Sequence, residues 1–342
     1  MEINLMNLTY EQIKNITWGA DRVEMIDGYV RFFRFTKAQE QVYKERNLGS
    51  YDKTSAASGV KLVFKTNSES LTLAAVMEKT STREYFSFDV FVNGELVGYL
   101  DNCSNVELPQ DYTEISLPAG RVEKSFELGK GEKTVTVYLP WNGRLKLESI
   151  SVDDGAGVEA VKPAKRILVF GDSITQGYDA VRPSNHYAVK LADALGAEMI
   201  NKAIGGEEFL PALVTAGEDG EFDYITAAYG TNDWSHGSRE KLLECCRGFY
   251  FELSKRFPNS KIFAIGPIWR KDLDADKPYG RFSQLIEDVE GCTKGLPNVT
   301  FINGFDFVPK DEKYYADLRL HPNDDGFAHY FENLYKEIKK YI

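Results

Sequence analysis

A change of rhythm near residue 155 constrains this chain more than any other feature. Upstream of it, Gly59-Val-Lys-Leu-Val-Phe-Lys-Thr66, Ser70-Leu-Thr-Leu-Ala-Ala-Val-Met77, Tyr85-Phe-Ser-Phe-Asp-Val-Phe-Val92, Thr134-Val-Thr-Val-Tyr-Leu139 and Leu145-Lys-Leu-Glu-Ser-Ile-Ser-Val152 read as strands. Several alternate apolar with polar residues, the pattern of antiparallel strands with one face buried. Asn93-Gly94, set between Phe91-Val92 and Glu95-Leu-Val-Gly-Tyr-Leu100, is a two-residue hairpin signal. Many short strands with turns between them predict a β-sandwich of jelly-roll type.

Downstream, strands alternate with helices. Arg166-Ile-Leu-Val-Phe170, Phe222-Asp-Tyr-Ile-Thr-Ala-Ala228, Lys261-Ile-Phe-Ala-Ile265 and Asn298-Val-Thr-Phe-Ile302 are short apolar runs. Between and after them, 185–195, 238–257, 279–294 and 325–341 carry helical spacing. That alternation predicts a parallel sheet covered by helices on both faces. The stretch Asp153-Asp-Gly-Ala-Gly-Val-Glu-Ala-Val-Lys-Pro163 reads as the linker. A 342-residue chain has room for a core in each half, and the expected division is 1–158 and 159–342.

Ligands of open α/β sheets bind beyond the carboxyl ends of the strands, and the chemistry-bearing residues of this half cluster there. Gly171-Asp172-Ser173-Ile174-Thr175 follows the 166–170 strand, and Asn201-Lys-Ala-Ile-Gly205-Gly206 follows a second. Ala228-Tyr-Gly230-Thr231-Asn232-Asp233 closes a third, and Asp317-Leu-Arg-Leu-His321-Pro322-Asn323-Asp324 stands near the C-terminus. A serine hydroxyl becomes a useful nucleophile only beside a base, commonly histidine, and with donors for the developing oxyanion. Taken singly, Gly-Gly reads as a turn and Thr-Asn-Asp as a cap or Asx-turn.

Together, in this order, the four blocks resemble the SGNH, or GDSL, hydrolase superfamily over the second half of the chain. The resemblance implies five strands in flavodoxin-like order, Ser173 as nucleophile and His321 as general base. It assigns the oxyanion hole to the backbone N–H of Ser173, the backbone N–H of Gly206 and the Asn232 amide. Gly205 is an alternative donor, with Gly206 the better fit to the block's count from Asn201. The family places two residues between its Asp and His, whereas Leu318, Arg319 and Leu320 make three here. The group that orients His321 is therefore Asp317, four residues away and able to share a helical face with it, or a backbone carbonyl, as in some superfamily members.

A β-sandwich ahead of an SGNH domain resembles carbohydrate esterase family 2. That implies a carboxylic ester hydrolase acting on a small-molecule or oligosaccharide ester, removing short acyl groups such as acetyl from sugar hydroxyls. The rivals are a lipase or thioesterase for longer acyl chains and an inactive carbohydrate-binding protein. Trp234, Trp269 and Arg270, close to the motif blocks, are expected at the rim of the substrate site, with His236 a loop residue nearby.

A net charge of −11 argues against nucleic acid or an anionic membrane as partner. Cys103, Cys245, Cys246 and Cys292 have no metal-ligand spacing. No cofactor or metal is expected. The N-terminus lacks a basic segment followed by an apolar core, and no run is long enough to span a bilayer, so a cytoplasmic location is expected.

Overall fold

The computed structural model describes residues 4–217 and 220–342, so the first three residues of the N-terminal stretch discussed above lie outside it. The first half builds two antiparallel sheets face to face. One runs in the order Arg22–Ile26, Tyr29–Phe33, Arg144–Asp153, Ser70–Glu78, Gly120–Glu127, and Leu5–Asn7 also pairs with Arg144–Asp153. The other runs Val158–Ala160, Lys61–Thr66, Lys133–Tyr138, Ser87–Val92, Glu95–Asp101, and Thr17–Trp18 joins Lys61–Thr66. Inward-facing residues of both sheets, among them Leu62, Phe64, Leu73, Val137 and Leu147, form one buried core.

The Asn93-Gly94 turn is as its sequence requires: both residues have positive φ, 51° and 85°, and Val92 pairs with Glu95. A second hairpin of the same kind, Arg22–Ile26 with Tyr29–Phe33, turns on Asp27-Gly28 at φ 52° and 83°. It was not among the strands expected from sequence, nor was Gly120–Glu127.

Helices also interrupt the sandwich: Tyr10–Ile16 adds Ile13 and Ile16 to its core, and two more follow. Lys37–Arg46 is closed by a capping box between Thr36 and Gln39, and Leu48–Lys53 is capped by Asn47. Lys37–Arg46 packs on the second half, whereas Leu48–Lys53 bridges the two, with Lys53 bonded to Gly205 O and Asp52 paired with Arg144. Phe35 and Tyr43 are buried in the same apolar cluster as Leu168, Ile225 and Phe249.

The second half is a five-stranded parallel sheet in the order Ala197–Asn201, Lys165–Gly171, Tyr224–Ala228, Lys261–Ile265, Val299–Ile302. This is the flavodoxin-like order, and every neighbouring pair is parallel. Side chains of a strand alternate between faces, and here the two faces feed different cores. Ile167, Val169, Phe263 and Ile265 pack with Tyr187, Leu191, Phe327 and Leu334 on one side. Leu168, Phe170, Ile262 and Ala264 pack with Leu242, Phe249, Leu285 and Val289 on the other. The helices Tyr187–Ala194 and Asp324–Ile338 cover the first face, and Arg239–Arg256 and Phe282–Thr293 the second. Among the described residues, no helix is long and apolar enough to cross a membrane.

The division read from sequence at 158 and 159 falls inside the strand Val158–Ala160, which pairs with Lys61–Thr66. We propose that the boundary lies slightly later, between Ala160 and the first parallel strand at Lys165. The halves are not loosely tethered. Arg34, fully buried, donates to the carbonyls of Ala56 (2.6 Å), Asn201 (2.7 Å) and Ala203 (3.1 Å). Trp141 Nε1 donates to Ala180 O at 2.7 Å and Tyr112 Oη to Asp179 O at 2.6 Å.

Candidate active site

The strand Lys165–Gly171 runs straight into the short helix Ser173–Gln176. Asp172 caps that helix, its carboxylate accepting the Ile174 N–H at 3.0 Å. The turn is too tight for a side chain at Gly171, where a Cβ would lie 2.2 Å from Thr175 Oγ1 and 2.9 Å from Ala228 O. Ser173 is thereby held at the end of the sheet's second strand, beside the end of the third.

His321 reaches it from a loop closed by the Tyr315–Pro322 bridge and by Ala316 N–H donating to His321 O at 2.8 Å. Ser173 Oγ lies 2.8 Å from His321 Nε2, and His321 Nδ1 lies 2.8 Å from Asp317 Oδ2. The extra residue between Asp317 and His321 is absorbed by Leu318, which takes a left-handed conformation at φ 54°. The other Asp317 oxygen, Oδ1, accepts the backbone N–H groups of Arg319 (3.0 Å), Leu320 (2.7 Å) and His321 (3.0 Å). One carboxylate thus folds the turn and faces the imidazole at once.

Burial alone disfavours ionised Asp317, but the His321 hydrogen bond and charge, with the Leu320 and His321 N–H groups, hold its carboxyl well below the usual range. Burial likewise disfavours imidazolium at His321. The Asp317 hydrogen bond and the Asp179 and Asp317 charges more than offset it, against an opposing Arg83, so the His321 pKa is raised.

The Asp179 contribution was not foreseen. Its Oδ2 lies 3.5 Å from His321 Nδ1, making it a second carboxylate beside the same nitrogen. It is fully buried at φ 72°, takes a two-point contact from Arg83 (2.7 and 3.1 Å), and accepts Tyr85 Oη at 2.7 Å. Arg83 and Tyr85 come from the sandwich, which therefore touches the His321 environment directly. No local motif marks this pairing, because its partners lie 94 and 96 residues apart.

On the other side of Ser173 stand the donors. Gly205 N–H is occupied by Gln176 Oε1 at 2.8 Å. Gly206, at φ 82°, has an N–H with no partner among the described residues. Asn232 Nδ2 donates to Glu207 O at 2.9 Å, which fixes the amide and leaves its second N–H available. Ser173, Gly206, Asn232 and His321 all line one cavity of about 350 Å³.

Arg270 also lines this cavity, but Trp234 and Trp269 do not, which corrects the expectation of aromatic rim residues. Trp234 is fully buried, its Nε1 bonded to Gly280 O at 2.9 Å and its ring against Phe282. It lies on the helix Thr231–His236 two positions after Asn232, and residues two apart do not share a helical face. Trp269 packs on Tyr315, with ring centroids 5.3 Å apart. His236 is exposed at the cavity edge, as the last residue of that helix rather than in a loop.

A serine–imidazole–carboxylate chain at the end of a flavodoxin-like sheet, with unpartnered N–H groups opposite, is the arrangement that serine hydrolases use. Residues 169–329 match the GDSL-like Lipase/Acylhydrolase family, so this half is a domain of that kind and the protein a carboxylic ester hydrolase. No curated protein matches the sequence. Among solved structures, a salicylyl-acyltransferase from a tetracycline biosynthetic pathway is similar at TM-score 0.77, with 20% identity over 95% of this chain and 94% of that one. A family two carbohydrate esterase from Cellvibrio japonicus is similar at TM-score 0.64, with 18% identity over 98% of each chain. An acetyl xylan esterase from the rumen bacterium Butyrivibrio proteoclasticus gives TM-score 0.61 and 15% identity over 98% of each. The shared fold includes the sandwich.

Proposed function

We propose that the protein removes short acyl groups, acetyl foremost, from carbohydrate hydroxyls through an acyl-enzyme. The carrying observation is the unbroken Ser173–His321–Asp317 chain, both links 2.8 Å, opening onto a cavity with free N–H groups. In this reading His321 Nε2 takes the Ser173 proton as Oγ attacks the ester carbonyl carbon. Ser173 N–H, Gly206 N–H and the Asn232 amide hold the oxyanion. The ester C–O bond then breaks, the sugar oxygen receives its proton from His321, and water repeats the sequence to release the acid. Asp317 keeps the imidazole in the tautomer whose Nε2 can accept.

The cavity supports short acyl groups over long ones. Of its lining residues, Leu320 is the one aliphatic side chain, so a long acyl chain would find little apolar wall. Structural relatives described as a carbohydrate esterase and an acetyl xylan esterase support the sugar ester. A cytoplasmic location belongs to the same proposal, supported by four free thiols.

The test is a ladder of esters from acetyl to decanoyl, beside acetylated xylo- and manno-oligosaccharides, for the wild type and Ser173→Ala. Turnover falling with chain length and vanishing in Ser173→Ala is expected. Wild-type turnover in Ser173→Ala would overturn the assignment.

A further inference from the structure

The protein is acidic overall, with a formal net charge of −11. The cavity at Ser173 has the opposite character. Lys53, Arg83, Arg270, Lys277 and Arg319 line it, and its lining residues include no Asp or Glu.

Two of these cations are committed elsewhere. Arg83 is held by Asp179, and Arg270 is doubly bonded to Asp272 at 2.6 and 2.8 Å. Arg319 reaches the same Asp272 only at 3.5 Å. Lys53 and Lys277 have no carboxylate partner among the described residues. Lys53 Nζ donates to Gly205 O at 2.7 Å and would stand 3.8 Å from a Cβ on Gly206. Lys277 Nζ lies 5.5 Å from the centre of the Trp234 ring, so the buried indole supports a cation in the cavity wall. Burial lowers the Lys53 pKa, only partly offset by Glu207 and Asp52, so keeping that charge is costly without a bound anion.

A neutral sugar offers many hydroxyl donors, and carboxylates are strong acceptors for them. This cavity has donors and positive charge instead. We propose that the ester it takes carries a carboxylate, on the acyl part or on the sugar, which Lys53 and Lys277 bind. This rests on the ester-hydrolase reading and narrows its substrate class to acidic esters.

Two matched pairs test it on the full chain. 4-Nitrophenyl acetate against mono-4-nitrophenyl glutarate places the charge on the acyl group. An O-acetylated methyl glucoside against its glucuronoside places it on the alcohol. The expected result is a kcat/KM ratio favouring the anionic member of one pair by about tenfold or more at low salt, as for one charged hydrogen bond. That ratio should shrink in 0.5 M NaCl and fall by about tenfold in Lys53→Gln or Lys277→Gln.

Ratios of one or below in both pairs, with 4-nitrophenyl acetate still hydrolysed, overturn the inference and leave the hydrolase intact. Equal losses on neutral and anionic esters in the lysine variants also overturn it, since the cations would then serve the transition state. If no ester is cleaved, the hydrolase reading fails. Calorimetric titration with glutarate, glucuronate and glucose then decides the anion preference, which must favour an acid and weaken in both variants.

Discussion

Replacing Asp317 by Asn probes the site most sharply, because the structure dictates how the amide must sit. Asp317 Oδ1 accepts three backbone N–H groups, from Arg319, Leu320 and His321. An amide nitrogen cannot accept them, so the Asn oxygen stays with the backbone and its NH₂ faces His321 Nδ1. Two donors cannot meet there. The imidazole must shift its proton to Nε2, where it can no longer take one from Ser173. In a serine protease this change of tautomer costs about 10⁴-fold in turnover.

Here a second carboxylate stands nearby. Asp179 Oδ2 is 3.5 Å from the same nitrogen, beyond a good hydrogen bond but within a small ring movement of one. Partial rescue is therefore expected, and Asp317→Asn should lose about 10²- to 10³-fold in kcat/KM, short of the full protease penalty. Adding Asp179→Asn should restore that penalty, and the positive φ at 179 suits Asn as well as Asp. The assay is steady-state hydrolysis of an unactivated acetyl ester, so that proton delivery to the leaving alcohol is also tested, with thermal melts as the control for folding. A loss below about tenfold in Asp317→Asn would refute the reasoning, and a collapse in Asp179→Asn alone would transfer the orienting role to Asp179.

Four further outcomes are expected. Because imidazolium cannot accept a proton and the His321 pKa is raised, kcat/KM should fall as pH drops through a midpoint above the ordinary histidine value of about 6.5, as a pH–rate profile will read. Asn232→Ala should slow turnover by about 100- to 1000-fold with the melt unchanged, the cost of one oxyanion donor. Leu318 pays about 1–2 kcal/mol for its left-handed turn, so Leu318→Gly should be close to neutral in denaturant titration, whereas the stiffer Leu318→Val should destabilise. Residues 161–342 expressed alone should be insoluble or unfolded by circular dichroism, since Phe35 and Tyr43 are part of that half's core.

Sequence patterns carried the second half well because its signals are local. Apolar runs ending in Gly-Asp-Ser or Gly-Thr-Asn mark the strand ends, and the 238–257 helix appears as Arg239–Arg256. What escaped depends on neighbours distant in the chain. The helix Lys37–Arg46 has weak patterning of its own and is held by Tyr43, which is buried in the other half's core. The Asp27-Gly28 turn carries the same kind of two-residue hairpin signal as Asn93-Gly94. Nearness in the chain to Asn232 suggests the rim for Trp234, but helical geometry turns the two apart. Arg83 and Asp179 meet only because the sandwich lies over the end of the parallel sheet.

Arg34 limits how such an enzyme can be rearranged. Its guanidinium is fully buried, bonded to carbonyls from both halves, and burial pushes its pKa down to about 9. Carbonyls satisfy its donors without cancelling its charge, so the site tolerates this cation only while every acceptor is in place. A foreign sandwich grafted onto this hydrolase would have to bring an equivalent arginine on an equivalent loop, or leave the Asn201 and Ala203 carbonyls buried without that donor. The two halves are thus a matched pair, to be exchanged together or not at all.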